Sequence, residues 1–389
     1  MTETSFELGC NYWPRRTAMY MWRDLDLGEV REELAHVRDL GFGVVRWFLL
    51  AEDFLPGPLE VPTARIDAAV AVARAAADAG LASVPTLVVV NMSGRMWWPR
   101  WMRPDGAPPV DPFSDPLALR SQALLCRTVA TALTGDRSIR AFDLSNEMDG
   151  AALPGSRHAA WLWTAVLAAA VRRGAPAASI QVGAHLPSLV DRSGMRLDDI
   201  AESADEDCMH AYPLYCDVAR SPLDAELAPF ACALTSELAG RGRPALLQEL
   251  GVCTAPPGTP GTVIDDDFLG RRVPQYLASE DEGAAYYATV LDRLAETGAR
   301  GAYAWCYADY APELFDRPPL DTALRERSFG LVRADGTEKP ACDVIRRAAP
   351  GLRAGPRPSV LDVTADEYHR APARHFRRLY ERWLCEVAR

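Results

Sequence analysis

Phe142-Asp143-Leu144-Ser145-Asn146-Glu147 and Ala245-Leu246-Leu247-Gln248-Glu249 are two short apolar runs, and each ends in a glutamate. Runs of this length read as buried strands, and a charged residue at the last position marks where the strand leaves the core. Further runs repeat the pattern on both sides. Strands are expected at 6–11, 43–48, 82–91, 139–146, 180–185, 206–212, 244–251 and 302–307. The densest β-branched stretch is Leu87-Val88-Val89-Val90. Between the strands lie helix-period segments, for example 27–40, 66–79, 159–172, 222–240 and 283–297. Apolar strands alternating with amphipathic helices predict an α/β protein with a parallel sheet covered by helices. Eight such units predict closure into a (β/α)8 TIM barrel.

The chain has 389 residues, which suits one barrel with insertions. A barrel is expected over 1–350, followed by a Pro- and Gly-rich linker and a helical extension over 351–389. In that tail Tyr380 and Trp383 offer a face for docking on the barrel or on a second subunit, so a homo-oligomer through the tail stays open. Two strand-to-helix loops are long. Residues 92–115 carry Trp97, Trp98 and Trp101, and residues 254–282 carry Asp265-Asp266-Asp267, Phe268 and Tyr276. Long ordered loops usually bear function.

Hydrophobic residues make up 49%, enough for a large core. Lys and Arg number 42 against 53 Asp and Glu, a formal charge of −11, with no basic block. Nucleic acid and anionic membrane surfaces are poor partners for such a surface. No apolar stretch reaches the roughly 18–20 residues that span a bilayer. The first residues carry Glu3 and Glu7 and lack the pattern of a secretory leader. Nine cysteines, scattered without a framework, then read as reduced thiols, and a cytoplasmic location is expected.

The chemistry gathers at the C-terminal strand ends, where barrel active sites are built. In strand order these positions carry Arg46, Asn91, Asn146 with Glu147, His185, His210 with Tyr212, Glu249, and Trp305. Two carboxyl groups presented together, one protonated and one ionised, are the minimum equipment for cleaving a glycosidic bond. Singly, each position has a plainer reading. Glu249 is a possible helix cap, Arg46 an ion pair at the barrel bottom, Trp305 a packing residue, and His185 equally a structural histidine or a substrate contact.

As a set, the pattern resembles clan A of the glycoside hydrolases, and most closely its family 5 group of cellulases, mannanases and β-mannosidases. The resemblance covers residues 6 to about 347 and rests on Asn146-Glu147, His210-Ala211-Tyr212 and Glu249. The histidine usual after the third strand of that group is here Asn91, which leaves the subfamily open. The resemblance implies Glu249 as nucleophile, its charge favoured by Arg46 and Tyr212, and Glu147 as acid and base. Burial and the nearby Glu249 are expected to raise the Glu147 pKa. It also implies Asn146 on the sugar 2-hydroxyl, His210 positioning Glu147, and Trp305 as the floor under the sugar.

Trp13, Trp97, Trp98, Trp101, Tyr307 and Tyr310 are expected near the mouth of the barrel, with Trp13, Trp97 and Trp98 as candidate sugar contacts. The substrate expected is a short β-linked oligosaccharide cleaved by an exo-acting, β-mannosidase-like enzyme. The alternatives are an endo-β-mannanase, a β-glucosidase, a transglycosylase on the same residues, or a barrel that only binds carbohydrate. No cofactor is expected, since no Gly-x-Gly-x-x-Gly or phosphate loop occurs. No metal is expected either: Cys208, His210 and Cys216 lack paired ligand spacing. Cys10, Cys253 and Cys306 lie near strand ends, without a Cys–His–Asn arrangement.

Overall fold

The computed structural model describes residues 4–191 and 194–387. Eight parallel strands form one sheet: β1 (Glu7–Asn11), β2 (Val44–Leu50), β3 (Ala82–Val89), β4 (Phe142–Asn146), β5 (Ile180–Gly183), β6 (Cys208–His210), β7 (Leu246–Leu250) and β8 (Gly301–Ala304). Their order is β5-β4-β3-β2-β1-β8-β7-β6. The seam between β5 and β6 is closed just beyond the strands, by a parallel bridge between His185 and His210 and by His210 N–H donating to Ala184 O at 2.8 Å. The (β/α)8 barrel read from the sequence is therefore the fold. Most strands are shorter than expected, whereas β2 runs on to Leu50.

The barrel interior is layered. Val44, Val84, Ala141, Cys208, Leu246 and Tyr303 form an apolar plug at the N-terminal end. Above them sits a buried polar layer containing Asn11, Arg46, Thr86, Asp143, Gln181 and Gln248. Helices cover the outside, and their starts follow capping rules. Asp26 accepts from Gly28 N and Glu29 N ahead of the helix Leu27–Asp39, and Ser279 with Glu282 forms a capping box on Glu280–Glu296. The helix expected from residue 222 begins only at Leu227. The Asp224 carboxylate accepts from Arg220 N and Glu226 N, which holds the preceding residues in a turn.

Two long loops carry structure of their own. Residues 254–282 contain an antiparallel hairpin, Thr262–Phe268 with Arg271–Leu277. It turns on Leu269 (φ 52°) and Gly270 (φ 84°), two consecutive positive-φ residues of the kind that tight hairpins require. The loop after β3 holds a two-residue ribbon, Asn91–Met92 paired with Arg95–Met96.

The tail closes back on its own barrel. Arg353–Ala354 pairs with Thr4–Ser5. The helix Pro372–Glu386 buries Phe376, Tyr380 and Trp383 against Phe230, with ring centroids 5.0–5.8 Å apart. Tyr380 Oη donates to Asp224 at 2.7 Å and Trp383 Nε1 to Glu226 at 2.9 Å. The two aromatic residues considered for a second subunit are thus engaged within the chain. Among the described residues, no helix is long and apolar enough to cross a membrane.

Candidate active site

Both glutamates reach the barrel axis because their strands break register. The pairing of β7 with β6 shifts between Leu247 and Glu249, and that of β4 with β5 shifts between Asp143 and Asn146. A regular strand alternates its faces. A bulge turns neighbouring residues the same way, and here both Gln248 and Glu249 bond to groups inside the barrel. Glu147 follows β4 with φ 47° and ψ 51°, a left-handed conformation. Among the described residues, five that are not glycine have positive φ, and three of them (Ser93, Glu147 and Leu269) line one cavity. Strained backbone of this sort concentrates at functional sites.

That cavity measures about 360 Å³, near the lower end of the usual range for small-ligand pockets. Glu147, Glu249, Asn91, Asn146, His185, His210, Tyr212 and Trp305, all named from the sequence, line it. Glu249 is held on both oxygens. Arg46 Nη1 donates to Oε1 at 2.6 Å, and Tyr212 Oη donates to Oε2 at 2.8 Å. The Arg46 guanidinium is itself clamped, by Asp143 at 2.8 Å, Asn146 Oδ1 at 2.8 Å and Asn11 Oδ1 at 3.0 Å. Each Glu249 oxygen thus accepts from one buried donor, the Arg46 guanidinium on one side and the Tyr212 hydroxyl on the other. The bland reading of Arg46 as a bottom-layer ion pair is replaced by this contact.

Glu147 lies opposite. Oε1 faces His210 Nδ1 at 2.9 Å, and Oε2 accepts from Asn91 Nδ2 at 2.9 Å with His185 Nδ1 at 3.4 Å. Oxygen atoms of Glu147 and Glu249 approach within 4.8 Å. Asn146 Nδ2 donates to Asn91 O at 2.9 Å, tying the end of β4 to the loop after β3. Two glycines make this crowding possible. A Cβ on Gly183 would sit 3.1 Å from the His210 ring, and one on Gly150 would sit 3.0 Å from both Asn91 Nδ2 and the His185 ring.

The electrostatics of Glu147 differ from the expectation. Burial raises its pKa, but the charge and hydrogen bonds of His185 and His210 outweigh burial, and the net direction is down. Burial lowers His185, yet the carboxylates of Asp149 and Glu147 hold it well above its ordinary value. Its Nε2 is 3.1 Å from Asp149 Oδ1.

The hydrogen-bond directions around His210 locate a proton. Glu206, held by Arg140 at 2.7 Å and Arg300 at 2.5 Å, accepts from Gln181 Nε2 at 2.7 Å. Gln181 Oε1 accepts from Gln248 Nε2 at 2.8 Å, which turns Gln248 Oε1 toward His210 Nε2 at 3.2 Å. That nitrogen must carry hydrogen. A neutral His210 then presents a bare Nδ1 to Glu147, a contact that needs a proton on Oε1. An ionised Glu147 needs His210 as imidazolium. Either way, one acidic proton lies on the 2.9 Å line between them.

Three expected sugar contacts lie elsewhere. Trp13 and Trp97 are buried, and their indole N–H groups are spent on Met92, at Sδ (3.4 Å) and O (3.1 Å) respectively. Trp98 is covered by the Arg103 guanidinium, 3.7 Å from its ring. Trp13 stacks on Phe48, which meets Trp305 edge to face, so it supports the floor from behind. Tyr307 and Tyr310 are likewise buried outside the cavity. The aromatic walls are instead Tyr212, Tyr215, Phe268, Trp305 and Phe329.

Asp143, Asn11, Gln181 and Gln248 were not read from the sequence as site residues. Polar residues inside otherwise apolar strands were their signal. Phe268 had only its place in the long loop 254–282, and Glu326, in the loop after β8, had no signal. Cys10, Cys253 and Cys306 do not line the cavity, and burial raises all three thiols. Glu147, His210 and Glu249 have the spacing of a cation site. Arg46 already supplies the balancing charge there, and both His210 nitrogens are engaged.

Neither a protein-family model nor a curated protein matches the chain. Solved structures do. One from Streptomyces cattleya, described as GH5_18 in complex with GlcNAc, aligns with TM-score 0.83 at 22% identity over 100% of this chain and 92% of its own. A variant of GH5_18 from the same organism, in complex with Manb1-4GlcNAc, aligns with TM-score 0.81 at 23% identity over 99% and 93%. The exo-beta-1,4-mannosidase Op5Man5 from Opitutaceae bacterium strain TAV5 aligns with TM-score 0.72 at 26% identity, over 89% of this chain and 59% of that longer one. The chain has the fold of clan A glycoside hydrolases related to family 5, the group its sequence resembles.

Proposed function

We propose that this chain is a retaining β-glycosidase that removes the terminal sugar from short β-linked oligosaccharides, with β-mannosides preferred. One observation carries the reading: a carboxyl group bound by Arg46 and Tyr212 stands within 4.8 Å of a second one that lies 2.9 Å from His210 Nδ1. Retaining enzymes place these groups about 5–5.5 Å apart, whereas inverting ones need about 6.5–9.5 Å to admit a water.

In the first step Glu249 bonds to the anomeric carbon and the glycosidic C–O bond breaks. The leaving oxygen takes a proton from Glu147. In the second step Glu147 takes a proton from water, whose oxygen displaces Glu249 from the same carbon. The acid's proton comes from the cluster of Glu147, His185 and His210, not from an isolated carboxyl of raised pKa. Once Glu249 is esterified its charge is gone, and Glu147 is left to act as base.

Exo action is supported by the way three loops meet over the mouth. Asp266 of the hairpin accepts from Leu324 N at 2.6 Å, Arg325 N at 3.3 Å and Arg325 Nη1 at 2.7 Å. Gly94 of the loop after β3 packs on Ala323 and Glu326 of the loop after β8. The preference for β-mannosides, including mannose β-linked to N-acetylglucosamine, is supported by the ligand and the activity named for the aligned structures.

The test is hydrolysis of aryl β-mannoside, β-glucoside, β-galactoside and β-xyloside, and of Manβ1-4GlcNAc, by the protein and by Glu249→Ala. Turnover lost by at least about 10³-fold in the variant, with the first-formed product a β-anomer, is expected. An α-anomer as first product, or turnover that survives in Glu249→Ala, sinks the reading.

A further inference from the structure

Glu326 is a buried carboxyl with a neighbouring cation but no hydrogen bond among the described residues. It lies in the short 3-10 turn Leu324–Arg327 of the loop after β8, is 7% exposed, and lines the same cavity as the two catalytic candidates. Among the described residues its carboxylate makes no hydrogen bond. Its neighbour Arg325 comes within 3.4 Å through Nε, but that N–H is given to Tyr215 Oη at 2.8 Å. Nη1 of Arg325 is given to Asp266 Oδ2 and to Asp267 O, each at 2.7 Å. Buried carboxyls are ordinarily satisfied. One that is fixed by its surroundings, lacks donors and borders a cavity is pre-arranged to receive donors from whatever fills that cavity. Burial pushes its pKa up, Arg325 opposes this, and the nearby Asp266, Glu249 and Glu147 carboxylates add to it, leaving it at about 7.

The donors that fit are sugar hydroxyls. The cavity presents the carboxyl groups of Glu147, Glu249 and Glu326, which accept hydrogen bonds from hydroxyls and offer a carboxylate or phosphate on the glycone nothing comparable. A neutral pyranose offers O–H donors. Glu326 also sits at the junction with Gly94, where the loops after β3 and β8 close the mouth.

We propose that Glu326 binds the hydroxyls of the terminal, non-reducing sugar and makes the pocket selective for neutral, unsubstituted glycones. The proposal rests on the glycosidase reading above. It is tested with Glu326→Gln and Glu326→Ala, each checked for an unchanged melting temperature, on the aryl β-glycoside of the preferred sugar and on its 3-, 4- and 6-deoxy derivatives. The expected result is a loss of kcat/KM of roughly 10- to 100-fold on the parent glycoside. The unaltered protein should discriminate against at least one deoxy derivative by a similar factor, and that discrimination should vanish in the variants. Two results overturn the proposal: parent activity within about twofold of normal, or an equal loss on every deoxy derivative, which would mean a structural role only. If the unaltered protein shows no Glu249-dependent turnover of any glycoside, the reading of the whole site fails first, and this one with it.

Discussion

Glu147 shows how far a residue's chemistry depends on groups distant in sequence. Its partners Asn91, His185 and His210 follow or end three other strands, and the two histidines reverse the pKa shift that burial alone would produce. Glu147→Ala should still release good leaving groups in the first step, because these need little proton assistance. Natural oligosaccharides should lose about 10²–10⁴-fold. Equal losses for an aryl glycoside and a disaccharide would remove Glu147 from the acid role. Gln248 reaches the same proton from below, through His210 Nε2. Gln248→Leu takes that acceptor away, so the disaccharide should slow about tenfold while activated aryl glycosides change little. Comparing the two substrates by steady-state kinetics checks it, and equal slowing of both would leave Gln248 a packing residue.

Among the elements, the strands were the most legible. Their apolar runs and terminal polar residues placed all eight units and the two glutamates, although most ladders proved shorter than the runs. The hairpin Thr262–Phe268 with Arg271–Leu277 was missed, since Asp265-Asp266-Asp267 reads as a solvated loop. Its middle residue is instead buried against Arg325, a tertiary pairing that local sequence does not announce.

The helix Leu27–Asp39 carries another buried acid, Glu33, which accepts from Tyr12 Oη at 2.9 Å. Burial first, and then the neighbouring Glu29, raises it to about 7 against the hydrogen bonds from Tyr12 and Arg15. A carboxyl whose folded pKa exceeds its unfolded value of about 4.3 binds more protons when folded. Its contribution is therefore full below pH ~4.3 and is lost as pH rises through 7. Melting temperatures at pH 5 and pH 8 should fall less with rising pH in Glu33→Gln than in the parent. An identical fall in both would show that Glu33 does not titrate in that window.

At the scale of the whole molecule, the tail is part of the barrel's packing. Trp383 joins its helix to Phe230 and donates to Glu226, which Arg293 also holds at 2.7 Å. Trp383→Ala should cost about 3–5 kcal/mol of stability by leaving a cavity against Phe230. Denaturant unfolding measures it, and a loss under about 1 kcal/mol would mean that the tail does not support the barrel.

By itself, the sequence determined the barrel, because strand and helix periodicities are local properties of neighbouring residues. It also placed Glu147, Glu249 and the residues around them together, because a barrel brings every strand end to one face. The tertiary structure decided the rest. Trp13 and Trp97 were drawn into the core by Met92, Glu326 was brought to the cavity by an irregular loop, and the proton beside Glu147 was located by a chain of amides across the barrel. Each of these depends on which distant groups supply or withhold a hydrogen bond, and only the closed three-dimensional arrangement contains that information.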